Sequence, residues 1–218
     1  MRHAADADHI AAVSTIVSRQ RSLRRAAPVG ALWGMGHTLT VTLVGAFVLG
    51  FALTIPPRIG PALELAVGLM LVVLGTFALA GCRDEAKAWR ASSMHPGAHA
   101  GGRSGLNLWQ GLRPLLIGVV HGLAGSAAIA LVVAGRIGDV FEGVGYLLLF
   151  GAGTVAGMTI LTVLIAMPFA YFAEAHPRLR RWLIGGCGLL SIGLGLYLLW
   201  PVSGGGNWLG AALADLAR

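Results

Sequence analysis

Long stretches without a charged side chain are the feature that most constrains how this chain folds. Five of them cover residues 26–57, 65–82, 114–135, 143–173 and 182–214. A helix needs about 20 apolar residues to cross the roughly 30 Å hydrocarbon core of a bilayer, so each stretch can supply one membrane span. Only 11% of the chain is charged, whereas soluble domains are usually about one quarter charged. We therefore predict an all-α, polytopic membrane protein.

The distribution of basic residues predicts how the spans are oriented. Arginine and lysine concentrate in three connections, while the connections between them contain only Arg58 and Arg136. Basic connections stay in the cytoplasm, so we expect a multi-pass protein of the cell inner membrane whose carboxyl terminus faces out. The net charge of +7 does not indicate a nucleic-acid partner, because the basic residues do not share one soluble face. The three connections contain Arg19, Arg21, Arg24 and Arg25, then Arg83, Lys87, Arg90, Arg103 and Arg113, then Arg178, Arg180 and Arg181.

A polar segment precedes the five apolar stretches. Residues 3–18 are rich in alanine and other apolar residues but include two histidines and two aspartates. An aspartate at the centre of a membrane helix costs roughly 2.5–3.5 kcal/mol, so this helix would insert poorly alone. We predict that it is buried against protein and binds metal, which brings the total to about six membrane segments.

We interpret residues 1–218 as a single integral membrane domain with two parts outside the bilayer. Residues 82–113 contain Gly, Ser, Pro and His in a pattern typical of a flexible loop, which the charges place in the cytoplasm. Pro201 is expected to end the last span, and residues 202–218 to form a short interfacial tail. The predicted apolar spans are 29–54, 61–81, 114–134, 143–172 and 182–200.

Four histidines fall within these membrane segments, where each needs a compensating interaction. They are His3, His9, His37 and His121. Metal coordination can compensate them, because neutral imidazoles and carboxylates donate to a cation. Mixed nitrogen and oxygen donors suit Ni(II), Co(II), Zn(II) or Mn(II), and the absence of a nearby cysteine argues against a soft Cu(I) site.

The spacing of the first donors predicts which of them share an ion. At about 100° per residue, His3, Asp6 and His9 fall within one sector of about 120°, whereas Asp8 points roughly 100° away from His9. Asp8 then either reaches the ion by local unwinding of the helix or orients a histidine. The alternative is that both aspartates are solvated at the outer interface.

The remaining histidines allow functional and structural interpretations. His37 is either a metal ligand or an imidazole that is hydrogen-bonded to a neighbouring carbonyl. His121 is either a metal ligand or part of a packing notch beside Gly122. His95 and His99 lie in the predicted loop and are expected to be solvated. The candidate metal ligands are His3, Asp6, Asp8, His9, His37 and His121.

The chain contains the motifs His3-x4-Asp8-His9 and Gly36-His37-Thr38. These two motifs resemble the leading signatures of the nickel/cobalt transporter family and its urease-accessory relatives. In that family a His-x4-Asp-His motif lies on the second transmembrane helix, and a Gly-His-[Ser/Thr] motif lies on the third. The resemblance implies that the family's first helix is missing here, since only Met1 and Arg2 precede the first motif. A later Asp-Thr-Ala-Thr-Glu motif is replaced by residues 121–126, which favours the urease-accessory branch. The matching residues are His3, Asp8 and His9, then Gly36, His37 and Thr38.

The leading hypothesis is transport of Ni2+ or Co2+, with no permanently bound cofactor. The ion would shed water onto His3, Asp8 and His9, with Asp6 assisting, and pass His37 towards the cytoplasm. No phosphate-binding Gly-x4-Gly-Lys-[Ser/Thr] motif is present, so a gradient or a partner must drive the movement. Two alternatives remain: an accessory protein that binds nickel for maturation of a metalloenzyme such as urease, and an exporter of a small anion or amino acid. We expect no enzymatic activity.

Overall fold

The computed structural model is all-helical in the residues that it describes, which are 6–18, 22–51, 59–94, 108–122, 136–137, 139–172 and 177–204. Four of its helices include regions long and apolar enough to cross a bilayer. The prediction of a helical membrane protein is confirmed. The helices are α1 (Ala7–Val17), α2 (Leu23–Gly50), α3 (Ile59–Met94), α4 (Leu108–Gly122), α5 (Val140–Phe172) and α6 (Pro177–Gly204).

The four long apolar helices are α2, α3, α5 and α6, so the structure does not bear out the full count of six spans. Helix α1 has 11 residues and the described part of α4 has 15, fewer than the 20 or so that a span requires. Residues 123–135, where we predicted that the fourth span continues, lie outside the described residues, and so does His3.

Helix boundaries differ from the sequence prediction at the charged ends of the spans. Helix α3 continues to Met94, so the first part of the predicted loop 82–113 is helical. Its residues 83–94 are rich in Ala, Arg, Lys and Glu, which are strong helix formers; their charges mark a change of solvent rather than the end of the helix. Residues 95–107 of that loop lie outside the described part of the chain.

Proline also proves a weaker stop than we expected. Helix α6 passes through Pro201 and ends at Gly204. A proline removes the hydrogen bond that its own nitrogen would have donated and crowds the carbonyl four residues earlier, but a further turn can follow it in a membrane helix. Helix α2 ends at Gly50, before the predicted limit at residue 54. The rest of the predicted tail, residues 205–218, is outside the described residues.

Helix α1 lies at the centre of the bundle and contacts α3, α5 and α6. Its apolar side chains Ala11, Ala12, Val13 and Val17 are completely buried. A helix this short and polar is therefore surrounded by protein rather than lipid, as the sequence predicted for this segment.

Small residues let α2 and α4 approach each other closely and in parallel. A Cβ atom added at Gly118 would overlap the carbonyl oxygen of Trp33, and one added at Gly122 would lie 2.6 Å from the carbonyl oxygen of His37. Such backbone contact is typical of membrane helices with glycine at their interface. The packing-notch interpretation therefore holds for the glycines that flank His121, and it brings that histidine to the level of His37.

Candidate metal centre

Helix α1 begins one residue before Asp8, which places the candidate ligands in its first turn. Asp6 has an extended backbone (φ −63°, ψ 149°) and caps the helix; its carbonyl oxygen accepts the first helical hydrogen bond, from the amide of Ile10, at 3.0 Å. The predicted helical sector of Asp6 and His9 is therefore wrong, because Asp6 precedes the helix. Asp8 is the aspartate that lies within the first turn of the helix, and its Oδ1 accepts a hydrogen bond from the His9 amide at 3.0 Å.

Asp8 lies between two imidazoles. Its Oδ1 is 3.1 Å from Nδ1 of His9, and its Oδ2 is 3.0 Å from Nε2 of His121. Both histidines are completely buried, while the carboxylate keeps 19% of its side-chain surface exposed. The structure thus brings together residues from α1 and α4 that lie far apart in sequence.

The ring nitrogens of His121 are available to bind a ligand. Neither of its ring nitrogens has an aligned hydrogen-bond partner within the described part of the chain, although Nε2 is close enough to Asp8 for an ion pair. Buried polar atoms in native proteins nearly always have partners. An ion bound to both His121 and Asp8 would provide one.

The spacing of the donor atoms fits a transition-metal ion. One ligand atom each from Asp8, His9 and His121 can be chosen so that all lie within 4.8 Å of one another. Metal bonds to imidazole nitrogen and carboxylate oxygen are about 2.0–2.2 Å long, so two ligands on opposite sides of an ion lie roughly 4 Å apart. The three donors therefore need only small side-chain movements to meet at one ion.

His37 lies beside this group but is not one of the three close donors. Its ring centroid is 5.6 Å from that of His9, and its side chain is completely buried. By comparison, the rings of His9 and His121 are 4.3 Å apart. The structure places His37 next to the cluster, where it could accept an ion from His9.

Trp33 is a neighbour of the site that the sequence analysis missed. Its ring is 5.3 Å from His9 and 5.7 Å from His121, measured between centroids, and it is completely buried. The indole Nε1 has no hydrogen-bond partner among the residues that the structure describes. Its position four residues before His37, on the same face of α2, is the signal that could have identified it.

Comparisons with known proteins identify relatives of this chain. The family described as NicO, high-affinity nickel-transport protein, matches residues 1–101, which include Asp8, His9 and His37 but not His121. The urease accessory protein UreH of Bacillus sp. (strain TB-90) is 33% identical over 203 residues, which cover 92% of this chain and 86% of that protein.

Two plant proteins are more distant relatives. The Arabidopsis thaliana chloroplast proteins FOR GROWTH AND FERTILITY 1 and 2 are 28% and 27% identical over 197 residues each, or 87% and 88% of this chain. The chain spans about half the length of these two proteins, 53% and 51% respectively. No solved structure matches the chain.

Proposed function

We propose, from the premise that this chain belongs to the nickel permease-like family that includes UreH, that it transports Ni2+ or Co2+ across the cell inner membrane. The observation that supports this is the convergence of donor atoms from Asp8, His9 and His121 within 4.8 Å. A partly buried carboxylate between two buried imidazoles is a donor set that attracts late divalent metals of the first transition row.

In the proposed pathway Asp8, His9 and His121 form the central site. The negative charge of the carboxylate offsets part of the cost of bringing a divalent cation out of water, and the imidazoles replace part of its hydration shell. Three protein donors leave at least one coordination position open. His37 can occupy that position and bind the ion as it moves towards the cytoplasm. His3 and Asp6 precede the site in sequence and serve as ligands where the ion enters.

The directions of the helices support the proposed topology. Helix α2 is antiparallel to α5, since Gly30 faces Thr162 and Gly34 faces Val155, and it is parallel to α4. Helices α2, α4 and α6 would then start from one side of the bilayer, where all three basic connections lie. We propose that this side is the cytoplasm and that α1 and α4 complete a six-segment membrane domain.

Uptake of radioactive nickel by cells expressing the full-length protein tests this function. The variants His9→Ala and His37→Ala should lose uptake, and His95→Ala is the matched control because it removes a histidine from the predicted loop. Membrane levels of each variant are compared by immunoblot. If the first two variants take up as much nickel as the parent protein, the proposed roles are wrong.

The name of one relative favours a second candidate function. UreH is described as a urease accessory protein, and a membrane protein that binds nickel and passes it to maturation proteins would need the same donors. Proteoliposomes distinguish the two functions: a transporter accumulates nickel in the lumen, whereas an accessory protein binds the metal without flux.

A further inference from the structure

A cavity of about 290 Å³ lies away from the metal centre, between α1, α3 and α4. Its walls are largely apolar and include Ile16, Leu74, Phe77 and Ile117, and one cation, Arg113, also lines it. Arg113 lies two turns of α4 before His121, and so the cavity is at the opposite end of α1 from Asp8. Its position and chemistry are distinct from those of the candidate metal site.

The mouth of the cavity faces the lipid-exposed surface of the bundle. Phe77 is 53% exposed and follows Leu69 and Val73 along the same face of α3, both of which are also exposed. On α4 the exposed side chains Leu112 and Leu116 flank Arg113. Large apolar side chains on this surface are suited to contact with acyl chains, so lipid has direct access to the cavity.

Arg113 is a cation that lies level with the apolar stretch of α3. Its guanidinium lies 5.6 Å from the centre of the Phe77 ring, and no carboxylate forms an ion pair with it within the described part of the chain. Phe77 precedes Arg83, the first charged residue after this apolar stretch, by six residues, or about 9 Å of helix. A cation at this depth requires an anionic partner.

From these features we infer that the groove between α3 and α4 binds one anionic phospholipid, with its phosphate on Arg113 and part of an acyl chain in the cavity. An arginine can bind a phosphate through two parallel hydrogen bonds, and basic pockets between membrane helices on the cytoplasmic side are recognised sites for anionic headgroups. Thr15 of α1 lines the same cavity, so the lipid also supports the helix that carries Asp8 and His9.

Native mass spectrometry of protein released from nanodiscs tests this site, with equal amounts of phosphatidylglycerol and phosphatidylcholine in the bilayer. The parent protein should retain one phosphatidylglycerol. Arg113→Gln should reduce its retention about fivefold, the effect of one basic residue near a membrane surface. Arg25→Gln removes one equally exposed positive charge from the first turn of α2 and should retain the lipid.

A second pair of variants tests the apolar half of the site without changing charge. Ala78→Leu fills the cavity from α3 and should lower lipid retention as much as Arg113→Gln. If Ala78→Leu melts at a lower temperature than the parent protein, Ile117→Phe, which fills the cavity from α4, replaces it in the test. Equal losses in Arg113→Gln and Arg25→Gln, or full retention in both filled variants, would overturn the proposal. Displacement of the lipid by millimolar inorganic phosphate would also overturn it, because the groove would then be a plain anion site.

Discussion

Asp8 on α1 places its Oδ2 3.0 Å from Nε2 of His121 on α4. The same carboxylate holds His9 through its other oxygen, so one side chain connects both imidazoles. Since α4 is fixed against α2 by backbone contact at Gly118 and Gly122, the position of His121 is set by packing. Because Asp8 contacts both imidazoles, its position determines whether His9 and His121 can bind the same ion.

The two aspartates should therefore differ sharply in their effect on nickel binding. Asp8→Asn removes the anionic donor of the cluster, and we expect the nickel affinity of the purified protein to fall by at least the roughly 10- to 100-fold that loss of a residue supporting a metal ligand costs. Asp6→Asn is the comparison variant: Asp6 is proposed as an entry ligand and is not among the three close donors, so its loss should slow uptake but change the equilibrium affinity of the central site little. Isothermal titration with NiCl2 measures the affinity of both variants. An equal loss in Asp6→Asn would contradict the assignment of Asp8.

Loss of His121 should affect the metal-free protein as well. His121→Ala leaves the partly buried Asp8 without one of its two imidazole contacts, and we expect a cost of about 1–3 kcal/mol in the free energy of unfolding. Nickel should raise the melting temperature of the parent protein by binding the folded state but have little effect on the variant. A nickel-induced shift of the same size in His121→Ala would exclude this histidine as a ligand.

The close approach of α2 and α4 predicts a contrast between two glycines of the same helix. An added Cβ at Gly118 would overlap the Trp33 carbonyl oxygen, whereas one at Gly111 meets nothing within 4 Å. Gly118→Ala should therefore destabilise the protein by about 1–3 kcal/mol, and Gly111→Ala should be neutral or stabilising because alanine favours helix. Thermal unfolding in detergent compares them, and equal melting temperatures would show that the helices do not touch at Gly118.

The apolar helices could be predicted from sequence because hydrophobicity over 20 residues is a local property. The prediction for α5, residues 143–172, agrees with the observed Val140–Phe172 within three residues at its start. The ends of α3 and α6 could not be predicted, because neither the charged residues after Cys82 nor Pro201 ends the helix in which it lies.

The candidate site was predicted only in part. The density of His and Asp between residues 3 and 9 identified the segment, yet the helical phase pointed to Asp6 rather than Asp8. That phase depends on where the helix begins, and the extended backbone of Asp6 places the start at Ala7. His121 comes close to Asp8 only because α1 is antiparallel to α4, a tertiary relationship that spacing along the chain does not reveal.

The ring of Trp33 should support the metal centre by filling the space beside His9 and His121. Trp33→Ala would leave a cavity beside His9 and His121, with a cost of about 3–5 kcal/mol and a loss of nickel affinity as the imidazoles lose their support. Trp33→Phe keeps an aromatic ring at this position and should cost less than about 1.5 kcal/mol, with nickel affinity close to that of the parent. Calorimetric titration and thermal unfolding of both variants measure these effects. If Trp33→Phe loses as much affinity as Trp33→Ala, the indole N–H donates a hydrogen bond to a water on the bound ion, and packing alone does not explain why the tryptophan lies there.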